Sequence, residues 1–267
     1  MGPEGGSFMG GRVPSDFDMI ASVGEGSMSG LMTKVTNKVK RVVNQTASRV
    51  ANSTNGAVVD RFHKIWYDNG DLTWGANTFL GYKVMQSPLD LQLYQELLFK
   101  TKPAFILETG VFGGGSLVYF ASMLDLMKAS PETVVIGVDI VLKPEAKAIH
   151  HPRIRLIEGS STDPAIIEQI KAMLPAPRGM VILDSDHSEA HVTNELEVYP
   201  QFVEVGCYLV VEDTNINGHP VLPTFGPGPM ESVKKFLPKH PEFIADDPLW
   251  QRNFFSHHQY GWLKRIR

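Results

Sequence analysis

Residues Phe105 to Ser116 read FILETGVFGGGS, the most informative run in the chain. Its first residues are apolar, as in a strand that is buried on both faces, and Glu108 follows them. Four glycines come next, and from Ser116 onwards apolar residues recur at helical spacing. A strand, a glycine turn and a helix in this order are typical of nucleotide-binding doubly wound sheets. An ordinary tight turn explains the glycines alone equally well.

The same alternation of apolar strand and helix continues towards the C-terminus. Strands are predicted over Thr133–Ile140, Ile154–Glu158, Met180–Leu183 and Tyr208–Val211, and helices over Ser87–Lys100, Ala165–Leu174, Ser188–Val203 and Glu231–Leu237. Two closing strands are predicted in the C-terminal segments FFSHHQ and YGWLKRI. This pattern predicts an α/β fold with a doubly wound, mostly parallel sheet and helices on both faces.

The composition is that of an ordinary globular protein. Of 267 residues, 43% are hydrophobic and 20% are charged, and the net charge of -4 gives no overall attraction to nucleic acid or anionic membranes. A single cysteine, Cys207, excludes an internal disulfide and fits a reducing compartment. Because the N-terminus lacks the features of a secretory signal, the expected location is the cytoplasm.

The first 55 residues differ from the rest and are predicted to form a tail ahead of one folded domain over 56–267. Residues 1–27 are rich in Gly, Ser and Met, which predicts disorder. Residues Leu31–Val50 place valines at helical spacing among lysines and arginines, which indicates a possible amphipathic helix. Packing on its own domain or on a second copy is favoured over a membrane role, because the apolar face is narrow.

Aromatic residues concentrate in the segment Asp60–Gln86, which includes Trp66, Trp74 and Tyr82 among glycines and polar residues. In a loop-like stretch this composition suggests a lid or one wall of a pocket. Packing against the sheet is an equally good interpretation. The proline- and glycine-rich loop Thr214–Met230 is long, as functional loops often are.

Acidic residues end four of the predicted strands. Ligands of open α/β sheets bind outside the carboxyl ends of the strands, where an acid such as Asp139 can bind the hydroxyls of a cofactor ribose. Asp184 and the pair Glu212-Asp213 end two further strands. Converging carboxylates repel unless a cation lies among them, and their oxygens suit Mg²⁺. Hydrogen bonds to loop N–H groups or ion pairs with Lys and Arg are the alternative.

Three residues near these carboxylates are candidates for a general base. His187 follows Asp184 by three residues, and an imidazole with an ordinary pKa of about 6.5 suits proton removal. His191 and Asp186 are alternatives for the same role. Asp186 is also an alternative metal ligand, although Asp184 is preferred because it ends its strand directly.

The motifs ETGVFGGGS, VIGVDI, GSSTDP, LDSDH and VVEDTN together resemble the S-adenosylmethionine-dependent O-methyltransferases of the cephalosporin hydroxylase family, which includes rhamnosyl O-methyltransferases. The resemblance runs from about Asp68 to the C-terminus and implies a Rossmann-like methyltransferase domain. Despite the family's name, no pattern reads convincingly as a facial iron triad. The phosphate loop, the G-x-S-x-G elbow and the spacing of the dinucleotide fingerprint are also missing.

The resemblance implies roles for individual positions. The implied cofactor-binding residues are Glu108, Gly110, Gly113, Gly114 and Ser116 for the methionine part, Asp139 for the ribose, Ser160, Ser161 and Asp163 beside the adenine, and Asp184. The implied Mg²⁺ ligands are Asp184, Glu212 and Asp213, and His187 falls where such enzymes often place a base.

The expected reaction is methyl transfer from S-adenosylmethionine to a hydroxyl of a sugar or glycosylated natural product, with Mg²⁺ aligning the acceptor. The aromatic residues Trp66, Trp74 and Tyr82, with the loop Asn215–Met230, are expected to close over the acceptor. Aromatic faces suit a flat phenol as well, so catechol-like phenols are a second substrate class. A cofactor-binding accessory subunit without turnover is one rival hypothesis. A membrane-docked enzyme anchored by residues 31–50 is another. Because related enzymes commonly assemble, a homo-oligomer is expected, and a nucleic-acid partner is not.

Overall fold

The computed structural model describes residues 56–175 and 179–267. Residues 58–267 form one compact unit. The predicted tail over 1–55, with its disordered start and its amphipathic helix over Leu31–Val50, lies outside the described residues. Within the described ranges, no helix combines the length and the hydrophobicity that crossing a bilayer requires.

The described chain begins with helix α1 (56–68), which leads through a 3-10 turn (Trp74–Ala76) into a short antiparallel hairpin. The hairpin strands are β1 (Thr78–Phe79) and β2 (Tyr82–Lys83). The remaining strands are β3 (Phe105–Thr109), β4 (Val134–Asp139), β5 (Ile154–Glu158), β6 (Gly179–Leu183), β7 (Tyr208–Val211), β8 (Phe243–Ala245) and β9 (Trp262–Arg265). The remaining helices are α2 (Pro88–Thr101), α3 (Gly115–Leu126), α4 (Pro144–Lys147), α5 (Pro164–Met173), α6 (Glu189–Val198), α7 (Pro229–Phe236) and α8 (Asp247–Gln251).

Seven of these strands form one sheet in the order β5-β4-β3-β6-β7-β9-β8. Strands β3 to β7 run parallel, whereas β9 is antiparallel to both β7 and β8. The chain starts in the middle with β3, moves outward to β5, and returns to the other side of β3 with β6. The order therefore reverses between β3 and β6, where doubly wound sheets bind their ligands. The predicted doubly wound, mostly parallel sheet is confirmed.

Strand β3 is buried on both faces, as its apolar sequence predicted. Successive strand residues point to opposite faces, so Ile106 packs with Leu93 and Phe120 of α2 and α3, whereas Leu107 packs in the cluster of α6 and α7 with Leu196. Burying each such side chain is worth about 2 kcal/mol. These two apolar layers fix the sheet between its helices.

Local sequence signals set several helix starts. Ser87 Oγ accepts from the backbone N–H of Leu89 at the start of α2, and Asp163 Oδ1 accepts from that of Ala165 at the start of α5. Both helices then have proline as their first residue, where its missing N–H costs nothing. In contrast, α3 begins after Gly114, which has no side chain to cap it. The first N–H groups of α3 are therefore free of a side-chain cap.

One prediction about local structure was wrong, and two were wrong in part. Segment FFSHHQ is not a strand, because its backbone groups bond to side chains: His257 N donates to Asp90 Oδ2 (2.9 Å) and His258 N to Ser256 Oγ (3.0 Å). The segment Asp60–Gln86 is not loop-like throughout, since residues 56–68 are helical. The helix predicted over Ser188–Val203 ends at Val198 and gives way to a 3-10 turn that contains Pro200, which cannot donate a helical hydrogen bond.

Candidate active site

A cavity of about 790 Å³ opens at the carboxyl ends of the parallel strands. Its size suits a cofactor-sized ligand. The predicted site residues in its lining are Gly110, Gly113, Ser116, Asp139, Ser160, Ser161, Asp184, His187, Glu212 and Asp213. Glu108, Gly114 and Asp163 are not among the lining residues. The cavity thus brings together side chains from the ends of β3, β4, β5, β6 and β7.

The glycine turn is packed tightly between other parts of the backbone. Gly110 has a φ of 85°, and a Cβ there would overlap the carbonyl oxygen of Asp184. A Cβ on Gly115 would overlap the carbonyl oxygen of Lys83. A Cβ on Gly113, by contrast, would meet nothing closer than 3.7 Å. Backbone packing therefore explains Gly110 and Gly115, and the packing at Gly110 joins the ends of β3 and β6.

Asp139 ties the end of β4 to this turn. Its Oδ2 accepts from the backbone N–H groups of Val111 (2.8 Å) and Phe112 (3.1 Å). Its Oδ1 accepts from Val141 N at 3.1 Å. Two carboxylate oxygens offer about four acceptor positions, so one remains for a donor in the cavity.

Glu108 is a fully buried carboxyl group beside the cavity-lining Ser116, whose Oγ donates to Oε2 at 2.8 Å. Among the described residues, Oε1 of Glu108 has no hydrogen-bond partner. Burial, and next the charge of Glu212, raise the pKa of Glu108 well above its ordinary value. A buried oxygen without a partner is rare in folded proteins and fits a donor group supplied by a ligand.

Asp184, His187 and Asp213 converge at the mouth of the cavity. One ligand atom from each lies within 4.8 Å of the others. His187 Nε2 is 3.2 Å from Asp213 Oδ2 and 4.0 Å from Asp184 Oδ1, and all three side chains are about one quarter exposed. Burial and the neighbouring carboxylates, Glu212 first and Asp213 next, raise the pKa of Asp184 well above its ordinary value. Such mutual repulsion fits a group that holds a divalent cation.

Glu212 is buried next to this group, and protein donors contact both of its oxygens. Tyr94 donates its hydroxyl to Oε1 at 2.5 Å, and Gln86 donates from Nε2 to Oε2. Burial raises the pKa of Glu212 to about 8, although the hydrogen bond from Tyr94 opposes this shift. The three residues whose ligand atoms converge are thus Asp184, His187 and Asp213, whereas the predicted ligands are Asp184, Glu212 and Asp213. A ligand role for Glu212 stays a prediction.

The two rival bases, His191 and Asp186, also line the cavity, but their polar atoms have partners outside the carboxylate group. His191 Nε2 lies 3.1 Å from Ser161 Oγ and 3.4 Å from Oε1 of the buried Glu195, and the hydrogen bond with Glu195 raises the pKa of His191. Asp186 Oδ1 accepts from the backbone N–H of Ser188 at 2.7 Å, at the start of α6. Of the three histidine and aspartate candidates, His187 is therefore the one that contacts the carboxylate group.

The predicted aromatic lid contributes one wall only. Trp74 lines the cavity together with Tyr67 of the same aromatic segment, and their rings stack 5.2 Å apart. Trp66 instead packs on Phe255 at 6.0 Å, and Tyr82 packs against the core. No residue of the loop Asn215–Met230, all of which the structure describes, belongs to the lining.

Comparison with known proteins identifies the family. The family model described as Rhamnosyl O-methyltransferase/CmcI matches residues 72–266. The chain belongs to this family. Its enzyme class is accordingly that of the O-methyltransferases.

Curated relatives extend over most of this family member. A rhamnosyl O-methyltransferase of Mycobacterium tuberculosis is 38% identical over 217 residues, which cover 80% of this chain and 87% of the relative. One from Mycobacterium leprae is 37% identical over 212 residues, covering 78% and 91%.

Solved structures of CmcI share the fold of this family member. An apo structure has a TM-score of 0.56 and 24% identity, and covers 72% of this chain and 77% of that chain. A CmcI structure with Mg and SAM has a TM-score of 0.56 and 23% identity, covering 72% and 78%. At these identities the likeness bears on the Rossmann-like fold.

Proposed function

We propose that the protein transfers the methyl group of S-adenosylmethionine to a hydroxyl of a sugar or glycosylated natural product, with a divalent cation such as Mg²⁺ as second cofactor. The observation that carries this proposal is the convergence of Asp184, His187 and Asp213 at the mouth of the cavity, beside the glycine turn after β3. The relatives named rhamnosyl O-methyltransferase support a rhamnose-bearing acceptor.

Residues in and beside the cavity fit the chemistry of S-adenosylmethionine. The buried, unpartnered Oε1 of Glu108 would accept from the ammonium group of the methionine part. Asp139 would use its remaining acceptor position for a ribose hydroxyl. Ser160 and Ser161 line the cavity beyond β5 and would border the adenine. Asp163 lies outside the lining and caps α5, so we assign it a structural role.

Carboxylates at the mouth fit a divalent cation. We propose Asp184 and Asp213 as its ligands and Glu212 as the third, because the charges of Glu212 and Asp213 raise the pKa of Asp184, and a cation relieves that repulsion. When bound, such a cation lowers the pKa of a nearby acceptor hydroxyl and helps to align it.

His187 would remove the proton from the acceptor hydroxyl. As the methyl group passes from the sulfur of S-adenosylmethionine to the hydroxyl oxygen, leaving S-adenosylhomocysteine, the hydroxyl proton would pass to the imidazole of His187. Asp213, 3.2 Å from Nε2, would stabilise the resulting positive charge. The sulfonium already supplies leaving-group activation, so the protein mainly positions the acceptor and accepts its proton.

The acceptor class is tested by turnover. The stacked rings of Tyr67 and Trp74 form a flat wall that suits a sugar ring or a phenol. S-adenosylhomocysteine release would be measured with a phenyl rhamnoside, with catechol and without acceptor, beside calorimetric titration of S-adenosylmethionine. Release that depends on the rhamnoside supports the proposed sugar acceptor. Release with catechol alone would show that the acceptor is a phenol. Cofactor binding without turnover on any acceptor supports an accessory subunit, and no binding contradicts both.

We further propose that the enzyme acts in the cytoplasm as a homo-oligomer. Light scattering coupled to size-exclusion chromatography tests the assembly. Co-sedimentation with anionic vesicles, with and without residues 1–55, tests the rival membrane-docked form.

A further inference from the structure

Asp213 carries its carboxylate on a strained backbone. Its φ is 52°, in the left-handed region that non-glycine residues adopt rarely. Such a conformation persists only where the surroundings hold it, and it is frequent at functional sites. The turn directs the Asp213 carboxylate towards His187, while the neighbouring Glu212 side chain is buried against Tyr94 and Gln86.

The ring of His258 lies directly behind this turn and is 1% exposed. The backbone N–H of Asp213 faces His258 Nδ1 at 3.2 Å. Because a backbone amide can only donate, Nδ1 must carry the lone pair and Nε2 the proton. That proton points to Gln86 Oε1 at 3.1 Å. With its oxygen used in this way, Gln86 turns its NH₂ group to Oε2 of Glu212.

Every hydrogen bond in this path has its direction fixed by the previous one. The path leads from the backbone of Asp213 through His258 and Gln86 to the carboxylate of Glu212. Tyr94 holds the other oxygen of Glu212 at 2.5 Å. Partners behind a metal-binding group orient it in this way.

We propose that His258 is a positioning residue that fixes the acidic pair Glu212-Asp213 for cation binding: Nδ1 holds the strained turn at Asp213, and Nε2 orients Glu212 through Gln86. The inference rests on the proposed function in one respect, the role of the pair in binding a cation. The hydrogen-bonded path itself does not depend on it.

Complementary variants separate the hydrogen bond that Nδ1 of His258 accepts from the one that Nε2 donates. In His258→Asn, the amide oxygen can replace Nδ1 as acceptor for Asp213, but Gln86 loses its donor. In His258→Gln, the longer amide can reach Gln86, but Asp213 loses its acceptor. His258→Leu removes both. His63→Leu is the matched control, because His63 is also fully buried and uses both ring nitrogens, towards Asn215 (2.9 Å) and Gln259 (3.3 Å).

Two measurements on the full chain test the proposal. Calorimetric titration with Mg²⁺, in the presence of saturating S-adenosylmethionine, gives the cation affinity. We expect about 10- to 100-fold weaker binding in His258→Leu, smaller losses in the Asn and Gln variants, and near-native affinity in His63→Leu. Hydrogen exchange at the Asp213 amide should accelerate in His258→Leu and His258→Gln and stay slow in His258→Asn.

Folded His258→Leu with native Mg²⁺ affinity and native exchange at Asp213 would overturn the inference, as would an equal loss of affinity in His63→Leu. If the Leu variant does not fold, the ordering of the Asn and Gln variants in the exchange experiment decides. If the native protein binds no Mg²⁺, the metal part of the proposed function fails, and the positioning role then stands or falls on the exchange at Asp213 alone.

Discussion

His187 Nε2 lies 3.2 Å from Oδ2 of Asp213, a residue that follows a different strand of the sheet. His187 lies between β6 and α6, and Asp213 lies just after β7. The contact exists because β6 and β7 are parallel neighbours, so their carboxyl ends share one edge of the sheet. The proposed function assigns to this pair the removal of the acceptor proton and the stabilisation of the resulting charge.

Replacing His187 by Asn should lower kcat by about 10²- to 10⁴-fold, because a general base contributes that much. Affinity for S-adenosylmethionine should remain near native, since the ring lies with the acids and not with Glu108 or Asp139. Initial rates of S-adenosylhomocysteine formation and calorimetric titration of the cofactor measure the two quantities separately.

A matched control for this variant is His219→Asn. His219 also contacts a carboxylate, Glu231 at 2.8 Å, and both pairs have the same exposed fractions, 28% and 24%, but His219 is not in the cavity lining. Its replacement should leave kcat within about threefold of native. Equal losses in both variants would contradict a catalytic role for His187.

Glu212 should make the metal-free protein less stable as the pH rises. Because its folded-state pKa is raised to about 8, its contribution to stability is fully present below its unfolded pKa of about 4.5 and is lost as the pH rises towards 8. Buried histidines with a lowered pKa, such as His63 and His258, have the opposite effect: they make the folded protein more stable as the pH rises towards about 6.5. The difference between wild type and Glu212→Gln therefore isolates the carboxylate.

Thermal unfolding in chelator at about pH 5 and about pH 8 measures this difference. The Tm of Glu212→Gln minus that of wild type should become more positive with rising pH. Addition of Mg²⁺ at the higher pH should raise the Tm of wild type, because a ligand that binds only the folded state stabilises it. A difference that does not change with pH would contradict the shifted pKa of Glu212.

Gly110→Ala should destabilise the fold by about 2 kcal/mol or more, because the new Cβ would overlap the carbonyl of Asp184 and the φ of 85° is strained for alanine. Gly113→Ala is its control, since a Cβ there has at least 3.7 Å of space. Chemical denaturation measures both free energies of unfolding. Equal destabilisation of the two variants would be inconsistent with the packing described at the switch point.

Asp139→Ala should weaken S-adenosylmethionine binding by about 30- to 100-fold, the loss expected for a charged hydrogen bond to a ribose hydroxyl together with a loosened glycine turn. Asp163→Ala is the comparison. It removes the N-cap of α5 and should cost about 1 kcal/mol of stability with little change in cofactor affinity. Titration calorimetry and thermal unfolding separate the two effects, and a large affinity loss in Asp163→Ala would return that residue to the cofactor site.

The five parallel strands and the strand-end acids were predictable from local patterns, whereas β8 and the β1–β2 hairpin were not predicted. Strands Ile154–Glu158 and Tyr208–Val211 have the predicted bounds, since apolar runs and turn residues act over a few positions. The segment FFSHHQ was mispredicted because its amides bond to Asp90 and Ser256, and no local pattern encodes such partners.

Local sequence patterns are enough to predict the doubly wound sheet and the set of acids at its carboxyl edge, because alternation, caps and strand ends are properties of neighbouring residues. Which of these acids converge depends on the packing of the folded chain. Glu212 and Asp213 are adjacent in sequence, yet one side chain contacts Tyr94 and the other His187, since β7 ends at Val211 and the backbone turns at Asp213, whose φ is 52°. His258 meets Gln86 across 172 positions of sequence, a contact that depends on the packing of the whole sheet.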